Sequence, residues 1–132
     1  MTEANEHETI SRILEGHPEI RLALLFGSVA TGRATPESDL DVAIKAERAL
    51  SSLDKTALIE ELAEATGRPV DLIDLATAGE PLLGQILRNG KRLTGSPSEL
   101  AKLMISHLGQ QADFLPYRER ILAERRRKWT GS

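Results

Sequence analysis

Apolar residues follow two different spacings in the first third of the chain. Ile10, Ile13 and Leu14 follow the spacing i, i+3, i+4 of one apolar helical face, which predicts a helix over residues 4–15. A short, mostly apolar run, IRLALLF at 20–26, predicts a strand that is buried on both faces. DLDVAIK at 39–45 supplies a second strand, so the chain begins with a helix and two strands.

The link between these two strands, residues 27–38, contains Gly27, Gly32 and Pro36 and has no apolar pattern of helical length. Parallel neighbours need a long crossover, which is usually a helix. We therefore expect this loop to join two antiparallel strands.

Residues 39–75 predict a strand, a helix and a further strand in succession. Ser51 and Asp54 form a predicted N-terminal cap, and the helical stripe stops at Gly67. PVDLIDL at 69–75 has the composition of a strand. This order is typical of a right-handed crossover between parallel neighbours.

The last part of the chain predicts two more helices and a short strand. Pro81 opens a helix that ends at Gly90, and KRLTG at 91–95 is a candidate edge strand. Ser96 begins a long helix, which Pro116 is expected to kink or interrupt.

Together these elements predict an α/β fold, with a small mixed sheet of three to five strands and helices packed against it. A chain of 132 residues is long enough to bury one core. We expect a core over residues 1–95 and a C-terminal helical extension, 96–132, that belongs to the same domain.

Composition narrows the classes of function. The chain has no cysteine, which excludes disulfides and thiolate metal sites, and no apolar run approaches the roughly 18 residues that cross a membrane. The acidic N-terminus does not resemble a signal peptide, so we expect a cytoplasmic protein.

Residues 101–132 carry seven Lys and Arg against three Asp and Glu. A solvated helix end explains this excess as well as a nucleic-acid contact does, and no aromatic ladder favours nucleic acid.

The clearest chemical signal is the pair Asp39 and Asp41 at the head of the second strand. Residues i and i+2 of a strand point to one face, so the two residues lie about 7 Å apart at the backbone. Two ionised carboxylates at this spacing repel unless a cation neutralises them, and oxygen ligands favour Mg²⁺ or Mn²⁺. The alternative is that Asp39 ends a loop and Asp41 faces solvent on an edge strand.

Gly27 and Ser28 end the first strand, at the same end of the predicted sheet as the two aspartates. Glycine lets the backbone approach phosphate oxygens, and the Ser28 hydroxyl and following amides can donate to them. An ordinary strand-end turn is the alternative. Asp71 lies near the start of the third strand and is assigned to this site, whereas Asp74, further along, is expected at the strand end or in solvent.

Gly27-Ser28, ten residues, and then Asp39-Leu-Asp41, with Asp71 opening a later strand, resembles the minimal nucleotidyltransferases of the polymerase β superfamily. Within that superfamily the sequence is most similar to the MNT antitoxins that pair with HEPN ribonuclease toxins. The resemblance covers about residues 8–95 by element order.

The resemblance implies transfer of AMP from ATP to a hydroxyl of the HEPN toxin, a tyrosine in similar antitoxins, with two Mg²⁺ or Mn²⁺ ions. Asp39 and Asp41 would hold both ions, Asp71 would complete the acceptor-side ion and help deprotonate the hydroxyl, and Gly27 and Ser28 would bind the phosphates. Thr31 departs from the family pattern, because many relatives carry arginine there. Arg33 or another cation therefore remains a candidate for the triphosphate.

Two alternatives share this fold: an antitoxin that neutralises its toxin by binding alone, and a nucleotidyltransferase for a small hydroxylated molecule. The segment 114–129, with its aromatics and arginines, is a candidate surface for docking the toxin. Arg12 and His17 match the spacing of the toxin's own ribonuclease motif, but Gly16 and Pro18 should break the helix that would carry it.

Overall fold

The computed structural model describes residues 3–108. Their elements, in chain order, are α1 Glu3–Glu15, β1 Ile20–Phe26, α2 Gly27–Ala30, β2 Leu40–Ala46, α3 Ser52–Thr66, β3 Val70–Asp74, α4 Leu82–Asn89 and β4 Lys91–Gly95. Residues 97–108 are also helical. Apart from the short helix α2, the predicted order of helices and strands is confirmed over this part of the chain.

The four described strands form one mixed sheet in the order β3-β2-β1-β4. β1 pairs antiparallel with both β2 and β4, whereas β2 and β3 are parallel and are joined by the crossover helix α3. This arrangement confirms the predicted α/β fold, the antiparallel first pair and the edge position of β4.

The core lies on both faces of the sheet, and β1 at its centre is buried throughout its middle. On one face, Ala23 and Leu25 of β1 belong to the same apolar cluster as Ile10 of α1 and Leu62 of α3. On the other face α4 contacts β1, and its residues Leu83, Ile86 and Leu87 are buried. Burial of β1 on both sides explains its apolar sequence from Leu22 to Phe26.

The helix ends follow the local signals in the sequence. The Ser51 hydroxyl accepts a hydrogen bond of 3.1 Å from the Asp54 amide at the start of α3. Gly67 ends α3 in the left-handed conformation that favours glycine, with φ of 70°. Ser96 caps the helix at 97–108 in the same way, accepting from the Glu99 amide at 3.2 Å.

One local prediction was wrong: the segment 27–38 is not a loop throughout, because Gly27–Ala30 form the short helix α2 directly after β1. The chain divides into two units after Glu99. The predicted kink at Pro116 and the docking segment 114–129 lie outside the described residues. None of the described helices is both long and apolar enough to span a membrane.

Candidate active site

Three strand ends meet at one edge of the sheet and bring the predicted acidic residues together. Asp41, the second residue of β2, pairs with Phe26 at the end of β1 on one side and with Asp71 of β3 on the other. Asp39 lies just before β2 and is close enough to Asp41 to influence its charge. The structure therefore brings Asp39, Asp41 and Asp71 to the same edge, as the strand pattern predicted. We call these three residues the acidic edge.

Gly27 packs directly against Asp41. Its φ of +75° lies in the left-handed region, and a Cβ placed on Gly27 would collide with the Asp41 carboxylate. A larger residue would have to displace the carboxylate or strain the backbone. Glycine at this position is thus what allows the end of β1 and Asp41 to approach so closely.

The electrostatics of the edge are unfavourable for negative charge. Burial of the Asp41 carboxyl raises its pKa above the ordinary value, and the neighbouring carboxylates of Asp71 and Asp39 raise the pKa further. In the described part of the chain, the Asp41 carboxylate accepts no hydrogen bond that would stabilise its charge. A bound cation would relieve both the repulsion and the loss of solvation.

The carboxylate oxygens of this edge fit a magnesium ion that is bound partly by the protein and partly by a substrate. Among residues 3–108, no three acidic, histidine or cysteine side chains are arranged to enclose a metal ion by themselves. Mg²⁺ is usually held by one or two carboxylates together with substrate phosphates and water, rather than by a cage made of protein groups alone. Two carboxylates from the group Asp39, Asp41 and Asp71 would supply the protein's share of such ligands.

The short helix α2 begins where the predicted phosphate-binding residues lie. Gly27 and Ser28 are its first two residues, and within residues 3–108 no side chain caps its N-terminal amides. The Thr31 hydroxyl donates back to the carbonyls of Gly27 (3.4 Å) and Ser28 (3.3 Å), so it closes the other end of this turn. Arg33 is exposed, and its backbone amide donates to the Ser28 carbonyl.

Asp74 does not join the acidic edge. It lies at the far end of β3, where it is buried and its carboxylate accepts hydrogen bonds from the amides of Ala76 (2.9 Å) and Leu50 (3.4 Å). Of the two roles expected for Asp74, the strand-end role is correct and the solvent-facing role is wrong. Arg12 and His17, which match the spacing of the toxin's ribonuclease motif, do not lie on one helix. As expected, α1 ends at Glu15, and the His17 side chain binds Glu61.

Sequence reasoning missed Arg68, whose side chain lies behind the acidic edge. Its guanidinium binds the carboxylate of Glu6 and two carbonyl oxygens of the loop that leads to Asp39. The ion pair joins residues 62 positions apart, so no local pattern could have indicated it. The only sequence hint was an arginine between the helix-ending Gly67 and Pro69.

Comparison with known proteins agrees with this geometry. The family model described as polymerase beta, nucleotidyltransferase matches residues 8–99. The protein adenylyltransferase MntA of Shewanella oneidensis is 33% identical over 99 residues, which cover 75% of this chain and 71% of that protein.

Solved structures are similar over most of the chain. A toxin–antitoxin crystal structure with AMP-PNP has a TM-score of 0.75 and 28% identity, and the match covers 88% of this chain and 94% of the other. The MNT antitoxin in complex with a tri-AMPylated HEPN toxin of Shewanella oneidensis has a TM-score of 0.72 over 92% and 96% of the two chains, and at 24% identity it shows the fold. The chain belongs to the polymerase β nucleotidyltransferase family.

Proposed function

We propose that this chain is the antitoxin of a toxin–antitoxin pair and that it transfers AMP from ATP to a tyrosine hydroxyl of a HEPN ribonuclease toxin. The observation that carries the proposal is the meeting of Asp39, Asp41 and Asp71 beside Gly27 at one sheet edge. Support also comes from the adenylyltransferase MntA, which is one third identical, and from the similar toxin–antitoxin structure with AMP-PNP.

In the proposed reaction the protein first holds the triphosphate. The amides at the start of α2 and the Ser28 hydroxyl donate hydrogen bonds to phosphate oxygens, and the absent Cβ of Gly27 lets the Asp41 carboxylate lie directly beside them. Asp39 and Asp41 would hold two Mg²⁺ ions, with Asp71 completing the acceptor side. When bound, these ions supply positive charge to the triphosphate and lower the pKa of the acceptor hydroxyl.

The chemical step is a displacement at the α-phosphorus of ATP. The toxin's hydroxyl oxygen forms a bond to the α-phosphorus, and the bond from that phosphorus to the oxygen bridging to the β-phosphorus breaks. Pyrophosphate leaves, AMP remains on the toxin, and the hydroxyl proton passes to the Asp71 carboxylate, which acts as general base. Asp71 suits this role because it is exposed at the site's edge, where an incoming protein can reach it.

The test is the intact mass of the purified toxin after incubation with this chain, ATP and Mg²⁺. We expect a mass increase of one or more AMP units with the wild-type chain and none with Asp41→Asn. Asp54→Asn is the matched control, because Asp54 is an exposed carboxylate in the first turn of α3, which follows the far end of β2. This variant should modify the toxin at the wild-type rate.

Other outcomes identify the alternatives. Tight binding and inhibition of the toxin without a mass change would contradict transfer and indicate neutralisation by occlusion. Modification of small hydroxylated compounds but not of the toxin would indicate a free-standing nucleotidyltransferase. Equal modification of the toxin by Asp41→Asn and by the wild type would show that the acidic edge takes no part in the reaction.

A further inference from the structure

Arg68 connects three parts of the chain that surround Asp39. It lies between the end of α3 and the start of β3, and its side chain is only 12% exposed. Nε donates to Oε2 of Glu6 at 2.7 Å and Nη2 donates to Oε1 at 3.3 Å, which makes a two-point ion pair with α1. The Glu6 side chain is 9% exposed, so both members of this charged hydrogen-bonded pair are largely buried.

The remaining amino group of Arg68 binds the loop that leads to Asp39. Nη1 donates to the carbonyl oxygens of Thr35 at 2.6 Å and Ser38 at 3.0 Å. That turn is closed on itself, because the Ser38 amide donates to the Thr35 carbonyl and the Ser38 hydroxyl accepts from the Thr35 amide. Arg68 therefore holds a preformed turn whose last residue directly precedes Asp39.

The other side of Asp39 is attached to the same segment. The amide of Leu40, the residue after Asp39, donates to the carbonyl of Pro69 at 2.8 Å. Pro69 lies two residues before Asp71, so Arg68 and Pro69 connect the backbone on both sides of Asp39 to the strand that carries Asp71. The spacing between the two outer carboxylates thus depends on this short segment.

We propose that Arg68 is a positioning residue for nucleotidyl transfer, which fixes Asp39 relative to Asp41 and Asp71 through the carbonyls of Thr35 and Ser38. Its charge is neutralised by Glu6 and its three nitrogens are engaged with protein oxygens, so it acts through Asp39 and not on the triphosphate. The expected effect of Arg68 on the rate of AMP transfer rests on the proposed function. The placement of Asp39 by Arg68 does not.

Lysine cannot replace Arg68, because one ammonium group cannot reach both the Glu6 carboxylate and the two loop carbonyls. Arg68→Ala should lower kcat for AMP transfer by about 10- to 100-fold, the effect of displacing a reacting group by about 1 Å. Arg68→Lys should be intermediate, and KM for the toxin should stay unchanged in both. The matched control is Arg21→Ala, which removes an exposed ion pair with Glu47 and should keep wild-type kcat.

Two readouts separate positioning from loss of the fold. A cavity of about 380 Å³ borders Arg68, Glu6 and Thr35, so guanidinium ion can reach the space that Arg68→Ala leaves. Guanidinium chloride, far below the concentrations that unfold proteins, should restore kcat of Arg68→Ala and leave Arg68→Lys unchanged. Hydrogen exchange of the Leu40 amide should accelerate at least tenfold in Arg68→Ala, while the Gly90 amide, bonded to Ile86 at 2.7 Å, keeps its wild-type rate.

Hydrogen exchange does not depend on AMP transfer. It therefore tests whether Arg68 positions Asp39 even if the wild-type chain transfers no AMP. Unchanged exchange at Leu40, or equal acceleration at Leu40 and Gly90, would overturn the proposal. Wild-type kcat in Arg68→Ala from a transferring enzyme would overturn it as well. A wild-type chain that does not modify the toxin would contradict the proposed function separately.

Discussion

Asp71 and Asp74 lie on the same five-residue strand but in opposite environments. Asp74 is buried, and two backbone amides donate to its carboxylate, so its oxygens have partners within the fold. Asp71 is exposed and faces the carboxylate of Asp41, which makes that neighbour harder to ionise. A buried carboxylate whose oxygens accept hydrogen bonds supports the structure, whereas neighbouring carboxylates that repel one another mark a candidate functional site.

The largest expected effect follows from removing the charge of Asp71. Asp71→Asn should lower the rate of AMP transfer to the toxin about a thousandfold, because it loses about 4 kcal/mol of metal-ion and general-base stabilisation in the transition state. Its unfolding midpoint in urea should match that of the wild type. Residual transfer within tenfold of the wild type would show that Asp71 has no direct part in the reaction.

The second effect concerns stability at the other end of β3. Asp74→Ala should lower the free energy of unfolding by about 1–2 kcal/mol, because the amides of Ala76 and Leu50 lose a hydrogen-bond acceptor in a partly buried place. Urea denaturation measures this loss. Asp71→Ala, the matched variant at the exposed end, should change stability by less than about 0.5 kcal/mol. Equal losses in the two variants would contradict the division of roles.

A third test uses two glycines with the same backbone conformation. Gly27→Ala and Gly67→Ala should each cost about 1–2 kcal/mol of stability, since φ is 75° and 70° respectively. Only the methyl group at Gly27 meets the Asp41 carboxylate, whereas nothing lies within 4 Å of a Cβ at Gly67. AMP transfer should therefore fall in Gly27→Ala and persist in Gly67→Ala under conditions where both are folded. Loss of transfer in both would mean that strain, not the contact with Asp41, is responsible.

The smallest effect is a gain in stability. Burial and two neighbouring carboxylates raise the pKa of Asp41 in the folded state, so its ionised form opposes folding at pH 7. Asp41→Asn, measured with EDTA present, should raise the free energy of unfolding by less than about 1 kcal/mol, because the group is partly solvated. As the pH falls through the pKa of the folded state, wild-type Asp41 takes up a proton and the advantage of the variant disappears. A destabilised variant at pH 7 would contradict this reasoning.

Local signals in the sequence predicted most of the fold. Ser51 and Gly67 mark the ends of α3 because capping depends on neighbouring residues, and the strand and helix order around them fixed the parallel pairing. That pairing and the alternation of side chains were sufficient to place Asp71, and not Asp74, at the acidic edge. The helix α2 was missed because its four residues make little more than one turn, which is too short to show a repeating apolar spacing.

The remaining features depend on tertiary packing. Whether Asp74 would be buried or solvent-facing could not be decided from the sequence, since its burial depends on how the segment containing Leu50 folds back over the end of β3. The contact between Arg68 and Glu6 joins α1 to a loop 62 residues later, and charged residues are common in both segments. Sequence thus predicted which carboxylates share one edge of the sheet better than it predicted the contacts that hold them in place.

The most direct test of the acidic edge is the ratio of pyrophosphate released to AMP attached to the toxin, measured in one reaction with ATP and Mg²⁺. Displacement at the α-phosphorus predicts one pyrophosphate for each AMP on the toxin, and neither product with Asp41→Asn or with excess EDTA. Neutralisation of the toxin with no pyrophosphate, or undiminished release by Asp41→Asn, would contradict the account.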